Sequence, residues 1–178
     1  STTAVLNSFV MSNMTPQFCQ LNQGVWQILE ELVRRWATDQ KTLYVVSGSV
    51  FDRDGQPGRD ADDTALRMKS NNGKRRVAIP SAFYKILAYP RPDGSLATLT
   101  VLLPHDQTDL DADAAVAYLN TNVTTVAAIE QRTGLTFFTV NGPSKAEAST
   151  LWAFKGAAPK SLARKNPNCP KTAGAVIQ

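Results

Sequence analysis

Four residues near the start of the chain have the types and spacing of a phosphate-handling metal site. Asn22, Trp26, Glu30 and Arg34 follow one another at steps of four. Steps of four drift only about 40° around an α-helix, so on one continuous helix these side chains would share a slanted ridge. A carboxamide oxygen, a carboxylate and a guanidinium on one ridge can hold a hard cation, order its waters and bind a phosphate oxygen. The same spacing also fits a plainer arrangement, with Glu30 and Arg34 as an i,i+4 surface pair and Asn22 as a helix cap. Spacing by itself does not choose between them. The scarcest residue type narrows the chemistry further. His105 is the only histidine in 178 residues. Sites built on two histidines are therefore excluded, and a histidine acid or base must be His105 or come from outside the chain.

The element that must carry the ridge is legible in the apolar pattern. Val25, Ile28, Leu29, Leu32, Val33 and Trp36 recur at threes and fours, which predicts an amphipathic helix from Asn22 to about Thr38. Residues 1–21 read as loop and turn around Ser12-Asn13-Met14-Thr15-Pro16-Gln17. Leu43 to Gly48 reads as a buried strand ended by the glycine. Residues 52–76 form a polar insert whose Gly55, Pro57, Gly58 and Gly73 argue for loop. Val77 to Ile79 and Phe83 to Tyr89 read as two strands on either side of Pro80. The Arg91-Pro92-Asp93-Gly94 turn then leads to a strand from Leu96 to Leu103, giving an antiparallel hairpin. Ala112 to Tyr118 reads as a short helix, and Thr124 to Thr133 as another stopped by Gly134 at its C′ position. Leu135 to Phe138 is expected to pack as an apolar segment. The mixture is α+β, a central antiparallel or mixed sheet flanked by helices.

Composition agrees with a packed domain. Apolar residues make up 43% and charged residues 19%, a globular balance. The net charge of +4 tilts weakly toward a polyanionic partner, but is also ordinary for solubility. Cys19 and Cys169 are too few for a disulfide scaffold or a Cys-rich zinc site. They would pair if the C-terminal stretch folds back near the first helix; pairing with another piece, or free thiols, stays open. Beyond Ala148 the chain carries Lys155, Lys160, Arg164, Lys165 and Lys171, no acid and three prolines. Residues 143–178 are expected as a basic surface tail on a domain spanning residues 1–142. No signal peptide or bilayer-spanning stretch is visible, and the chain begins at Ser1, as a processed product or fragment would.

Two sequence words then outweigh the bare spacing. Ser12-Asn13-Met14-Thr15-Pro16-Gln17, followed by Leu21-Asn22-Gln23-Gly24-Val25-Trp26 and Leu29-Glu30, closely resembles the DNA/RNA non-specific endonuclease family of ββα-metal nucleases. Secreted sugar-nonspecific bacterial nucleases and mitochondrial endonuclease G belong to that family. The resemblance continues through Leu43 to Gly48, Val77 to Lys85, Ile129-Glu130 and Thr133 to Phe138, in the family's order. It implies the ββα-metal nuclease fold, here its C-terminal portion. By the same resemblance Asn22 is the Mg²⁺ ligand, Glu30 the acid that orders metal-bound waters, Arg34 a phosphate-side arginine and Asn13 an active-site asparagine. Mn²⁺ or another divalent cation would serve similarly. DNA and RNA are the implied substrates, cut with little sequence preference; a homodimer fits, a membrane does not. A secreted or periplasmic location is favoured over an organellar or cytoplasmic one, both of which stay open.

The resemblance also marks a gap. The family's general base lies in an Asp-Arg-Gly-His motif upstream of the SNxxPQ turn, and no such motif occurs in this sequence. His105, in Leu103-Pro104-His105-Asp106, is expected to be a surface turn residue and not a substitute. Three readings follow: a two-piece nuclease whose base arrives from an upstream segment or second chain, an inactive fragment, or a non-catalytic nucleic-acid-binding or toxin-associated relative on the same scaffold. The metal-side residues favour the first two. Other features are plainer. Asp52-Arg53-Asp54-Gly55 lacks a full calcium loop and reads as a solvated turn. Asp106, Asp109, Asp111 and Asp113 read as a solvated face. Lys74-Arg75-Arg76 and the basic tail suit either phosphate tracking or plain solvation. Asn13-Met14-Thr15 and Asn122-Val123-Thr124 are formal glycosylation sequons, the first inside the candidate site.

Overall fold

The structure is a computed structural model and describes residues 15–69, 76–106, 108, 110, 112–138, 145, 150–153 and 169. In chain order its elements are α1 (Cys19–Asn22), α2 (Val25–Gln40), β1 (Tyr44–Val50), β2 (Arg67–Lys69), β3 (Arg76–Ala78), β4 (Ala82–Pro90), β5 (Leu96–Pro104), α3 (Ala112–Thr121), β6 (Val123–Thr124) and α4 (Val126–Thr133). One antiparallel sheet runs β1-β4-β5-β6, and β2 pairs with β3 as a separate hairpin.

The central strand explains the architecture. Ala82 to Ala88 are all buried, so both faces of β4 must be covered. On one face Phe83, Leu87, Leu99, Val101 and Leu103 pack with Leu21, Val25, Ile28, Leu29, Leu32 and Trp36 of the first two helices, together with Ala115 and Leu119 of α3. On the other, Val50, Ala82, Tyr84 and Ile86 pack with Val126 and Ile129 of α4, closed by Phe137 and Phe138. The period-2 alternation of β4 thus sends odd residues toward α2 and even residues toward α4. Thr125 caps α4, its hydroxyl accepting from Ala128 N–H at 3.0 Å, and Gly134 ends it with φ 70°. β1 is a sheet edge, and Tyr44 and Val45 at its start are 56% and 44% exposed.

Several expectations change. The helix does not run through Asn22. Asn22 closes the short α1, the chain breaks at Gln23-Gly24, and Gly24 precedes the first turn of α2. Gly24 is required there, because a Cβ would lie 2.3 Å from the Gln20 carbonyl oxygen. Gly48 does not end β1, which continues to Val50. It leaves room for the Tyr84 ring directly across the ladder, which an added Cβ would approach to 2.5 Å. The polar insert is not all loop, since it contains β2, which pairs with β3 at the insert's end. Its acids are not merely solvated. Asp52 accepts two bonds from Arg132, at 2.6 and 3.0 Å, and one from the Ser81 hydroxyl, while Asp60, 3% exposed, is paired with Arg53.

The expected tail is anchored where it is described. Trp152 meets the Trp36 and Tyr89 rings edge-on, and its carbonyl accepts from the Trp36 indole N–H. Cys169 is disulfide-bonded to Cys19. No helix among the described residues is long and apolar enough to cross a membrane.

Candidate active site

The candidate residues lie on α1, the start of α2, β1 and β4. Asn22 is exposed at the end of α1, and its backbone N–H donates to the Phe18 carbonyl at 2.9 Å. Two residues on, the Gly24 break redirects the chain into α2, so Asn22 and Glu30 sit on two helical segments and not on one ridge. Trp26 is buried on the first turn of α2 and donates its indole N–H to Glu30 Oε1 at 3.0 Å. That bond aims the half-buried Glu30 carboxylate and leaves its second oxygen for another donor.

Lys85 of β4 completes the arrangement. It is 6% exposed, lies 4.4 Å from the centre of the Trp26 ring and donates to the Ser47 hydroxyl of β1 at 3.1 Å. Burial pulls its amine below the ordinary lysine range, and the neighbouring Glu30 carboxylate opposes that shift. A cation on one face of an indole draws electron density from the ring, strengthening the N–H that holds Glu30. Lys85 and Ser47 were not foreseen as site residues. The signal was present: a lone lysine inside Phe83-Tyr84-Lys85-Ile86-Leu87 is a charge placed in a central strand, which only a specific partner tolerates.

Arg34 lies one turn beyond Glu30 but does not pair with it. Its guanidinium donates to Glu31 at 3.0 Å and is largely exposed. The expected Glu30–Arg34 pair is thus replaced by an i,i+3 pair that leaves Glu30 to Trp26. Asn13 lies outside the described residues. A carboxamide oxygen and a carboxylate oxygen are hard donors. Among the described residues no three His, Cys, Asp or Glu side chains converge. Such a set suits a small hard cation that keeps most of its waters, as Mg²⁺ does, and not a soft or fully caged metal.

His105 departs from expectation. It is not a surface turn residue but is 8% exposed, stacked against Phe18 at 4.4 Å and met edge-on by Phe83 at 5.0 Å. Its Nε2 accepts from the Phe18 N–H at 2.8 Å and its Nδ1 bonds the Pro80 carbonyl at 3.0 Å. Because Nε2 is an acceptor, the proton sits on Nδ1 and the ring is neutral. Burial holds its pKa below the ordinary histidine value, with Arg53 adding to the effect and the Pro80 bond and Asp106 opposing it.

Known proteins resemble this chain in sequence and in fold. Human mitochondrial endonuclease G is 29% identical over 134 residues, which are 75% of this chain and 42% of that protein. The nuclease of Serratia marcescens is 31% identical over 158 residues, 88% of this chain and 52% of that protein. Nuclease C1 of Cunninghamella echinulata is 29% identical over 149 residues, 83% of this chain and 53% of that protein. The chain therefore spans about half the length of these curated relatives. A solved structure of the EndoG/EndoGI complex, titled for the mechanism of EndoG inhibition, superposes with a TM-score of 0.50 at 23% identity, over 74% of this chain and 50% of that one. That is the ββα-metal nuclease fold. Residues 1–143 match the description "DNA/RNA non-specific endonuclease", and the chain belongs to the DNA/RNA non-specific endonuclease family.

Proposed function

We propose that this chain forms the metal-side half of a Mg²⁺-dependent nuclease that hydrolyses phosphodiester bonds in DNA and RNA, with the general-base histidine supplied by an upstream segment or a second chain. Asn22 would give its carboxamide oxygen to the cation, and Glu30, aimed by Trp26 and backed by Lys85, would orient water beside it. Arg34 would offer its exposed guanidinium to the phosphate, and Asn13 would supply a second carboxamide. A divalent cation held there polarises the phosphate and stabilises the leaving oxygen. Hydrolysis then needs a base to activate water.

The observation that carries this reading is the state of His105. Both ring nitrogens are committed to backbone groups and the ring is enclosed by Phe18 and Phe83, so no lone pair faces solvent. This supports a histidine base supplied from outside residues 1–178. Among the described residues β1 is an edge strand, which supports an added piece, since such an edge is a template for pairing. The disulfide between Cys19 and Cys169 supports an oxidising, secreted or periplasmic setting. The test is cleavage of plasmid DNA and of RNA in Mg²⁺. The isolated chain is expected not to cut, and addition of a segment carrying the Asp-Arg-Gly-His motif is expected to restore cutting. Cleavage by the isolated chain at an ordinary rate would refute the reading.

A further inference from the structure

His105 is excluded from proton transfer, yet the chain invests several contacts in it. Its own backbone N–H donates to the Ser81 carbonyl at 2.9 Å, fixing the ring's base on the turn between β3 and β4. Its Nδ1–H donates to the Pro80 carbonyl at 3.0 Å, and the same carbonyl accepts from Arg53 at 2.6 Å. With one nitrogen so committed, the other is presented as an acceptor, and it takes the Phe18 N–H. Phe18 is the residue that opens α1, and its carbonyl accepts the Asn22 N–H at 2.9 Å. A single residue, Phe18, thus stands between the imidazole and the backbone of Asn22, its N–H on one side of its Cα and its carbonyl on the other. We infer that His105 is a positioning residue whose neutral, Nδ1-protonated ring pins the Phe18 peptide and, through it, the turn that presents Asn22.

The device has a built-in sign. Protonation would place an N–H on Nε2, facing the Phe18 N–H, so two donors would meet where one bond stood. Among the described residues the charged groups around the ring are Arg53, which opposes protonation, and Asp106, which favours it; Cys19, beside Phe18, is tied in its disulfide and does not titrate. With the folded-state pKa held below the ordinary value of about 6.5, the contact is fully present above that value. It weakens as pH falls through the lowered pKa, by about tenfold per pH unit beyond it.

The link from Phe18 to Asn22 is geometric; its consequence for metal binding rests on the proposed function. The experiment uses the whole chain, ¹⁵N-labelled. Protonation of His105 is followed by its own Cε1 proton while hydrogen exchange is measured at the Phe18 and Asn22 amides, with amides of β4 and β5 reporting global unfolding. The expected result is that Phe18 and Asn22 lose protection together as His105 protonates, while the sheet stays protected. In His105→Gln, which keeps an acceptor but cannot protonate, protection is expected to stay level across the same range. The inference is overturned if His105 protonates with no change at Phe18, if Phe18 opens only together with the sheet, or if the glutamine variant loses protection as the parent does. A parallel Mg²⁺ titration reads the Asn22 side-chain amide. If Mg²⁺ leaves it unmoved at neutral pH the metal assignment falls, while the exchange data still decide the role of His105.

Discussion

A lysine buried in a central strand gives up its hydration shell, and Lys85 replaces it with the Ser47 hydroxyl and the face of Trp26. The folded-state pKa of this amine is lowered by burial, so the unfolded chain holds the proton more tightly. Stability should therefore rise with pH from the lowered pKa up to the ordinary value of about 10.4. Lys85→Met, which keeps the apolar stem, should lack that rise; urea unfolding of both proteins across the alkaline range measures it. Trp26→Phe removes the bond to the Glu30 carboxylate and should cost about 1–3 kcal/mol, while freeing Glu30 to swing. At this scale the sequence carried the residue types well. Trp26 and Glu30 are joined on α2, Asn22 stands apart at the end of α1, and Arg34 turns to Glu31. The reason is local: Glu31 offers an acceptor at i,i+3, and Trp26 already holds Glu30.

At the scale of elements the decisive feature is the break between α1 and α2. The amphipathic pattern correctly foretold a long helix burying Val25, Ile28, Leu29, Leu32 and Trp36. It placed the start two to three residues early, because the Leu21-Asn22-Gln23-Gly24 run has no proline or β-branched residue to mark a stop. Only the approach of the Gln20 carbonyl explains Gly24, and that is a tertiary fact. Gly24→Ala should distort this junction and destabilise by about 1–3 kcal/mol, read as a lowered midpoint in thermal unfolding. A second joint ties α4 to the segment after β1. Asp52 is held below the usual aspartate range chiefly by its bond to Arg132, with Ser81 adding to it and burial opposing. Its contribution is present above about 3.9 and lost as pH falls through the lowered pKa. Arg132 is about a third exposed, so solvent screening moderates the pair. Asp52→Asn should cost roughly 1–2 kcal/mol at neutral pH, with the difference from the parent shrinking in acid. The sequence showed these acids as a solvated turn because their partners lie 29 and 80 positions away.

On the whole-molecule scale, the β4–β5 hairpin was legible in the Pro-Asp-Gly turn. The closure of the chain on itself was not. Trp152 and Cys169 reach back to Trp36 and Cys19, contacts that local composition, dominated by lysines and prolines, does not encode. Because the disulfide spans 150 positions, it restricts the unfolded chain strongly. Reduction should lower stability by about 2–4 kcal/mol, and intact mass should rise by two hydrogens under reductant. The proposed active site is divided, with metal-side groups on this chain and the base elsewhere. The most direct measurement is Mg²⁺-dependent plasmid cleavage by residues 1–178 alone, by the chain with an Asp-Arg-Gly-His segment added, and by the same mixture carrying Asn22→Ala. A divided site predicts no cleavage, restored cleavage, and at least about a hundredfold loss from the restored rate; efficient cleavage by the chain alone, or by the Asn22→Ala mixture, would contradict it.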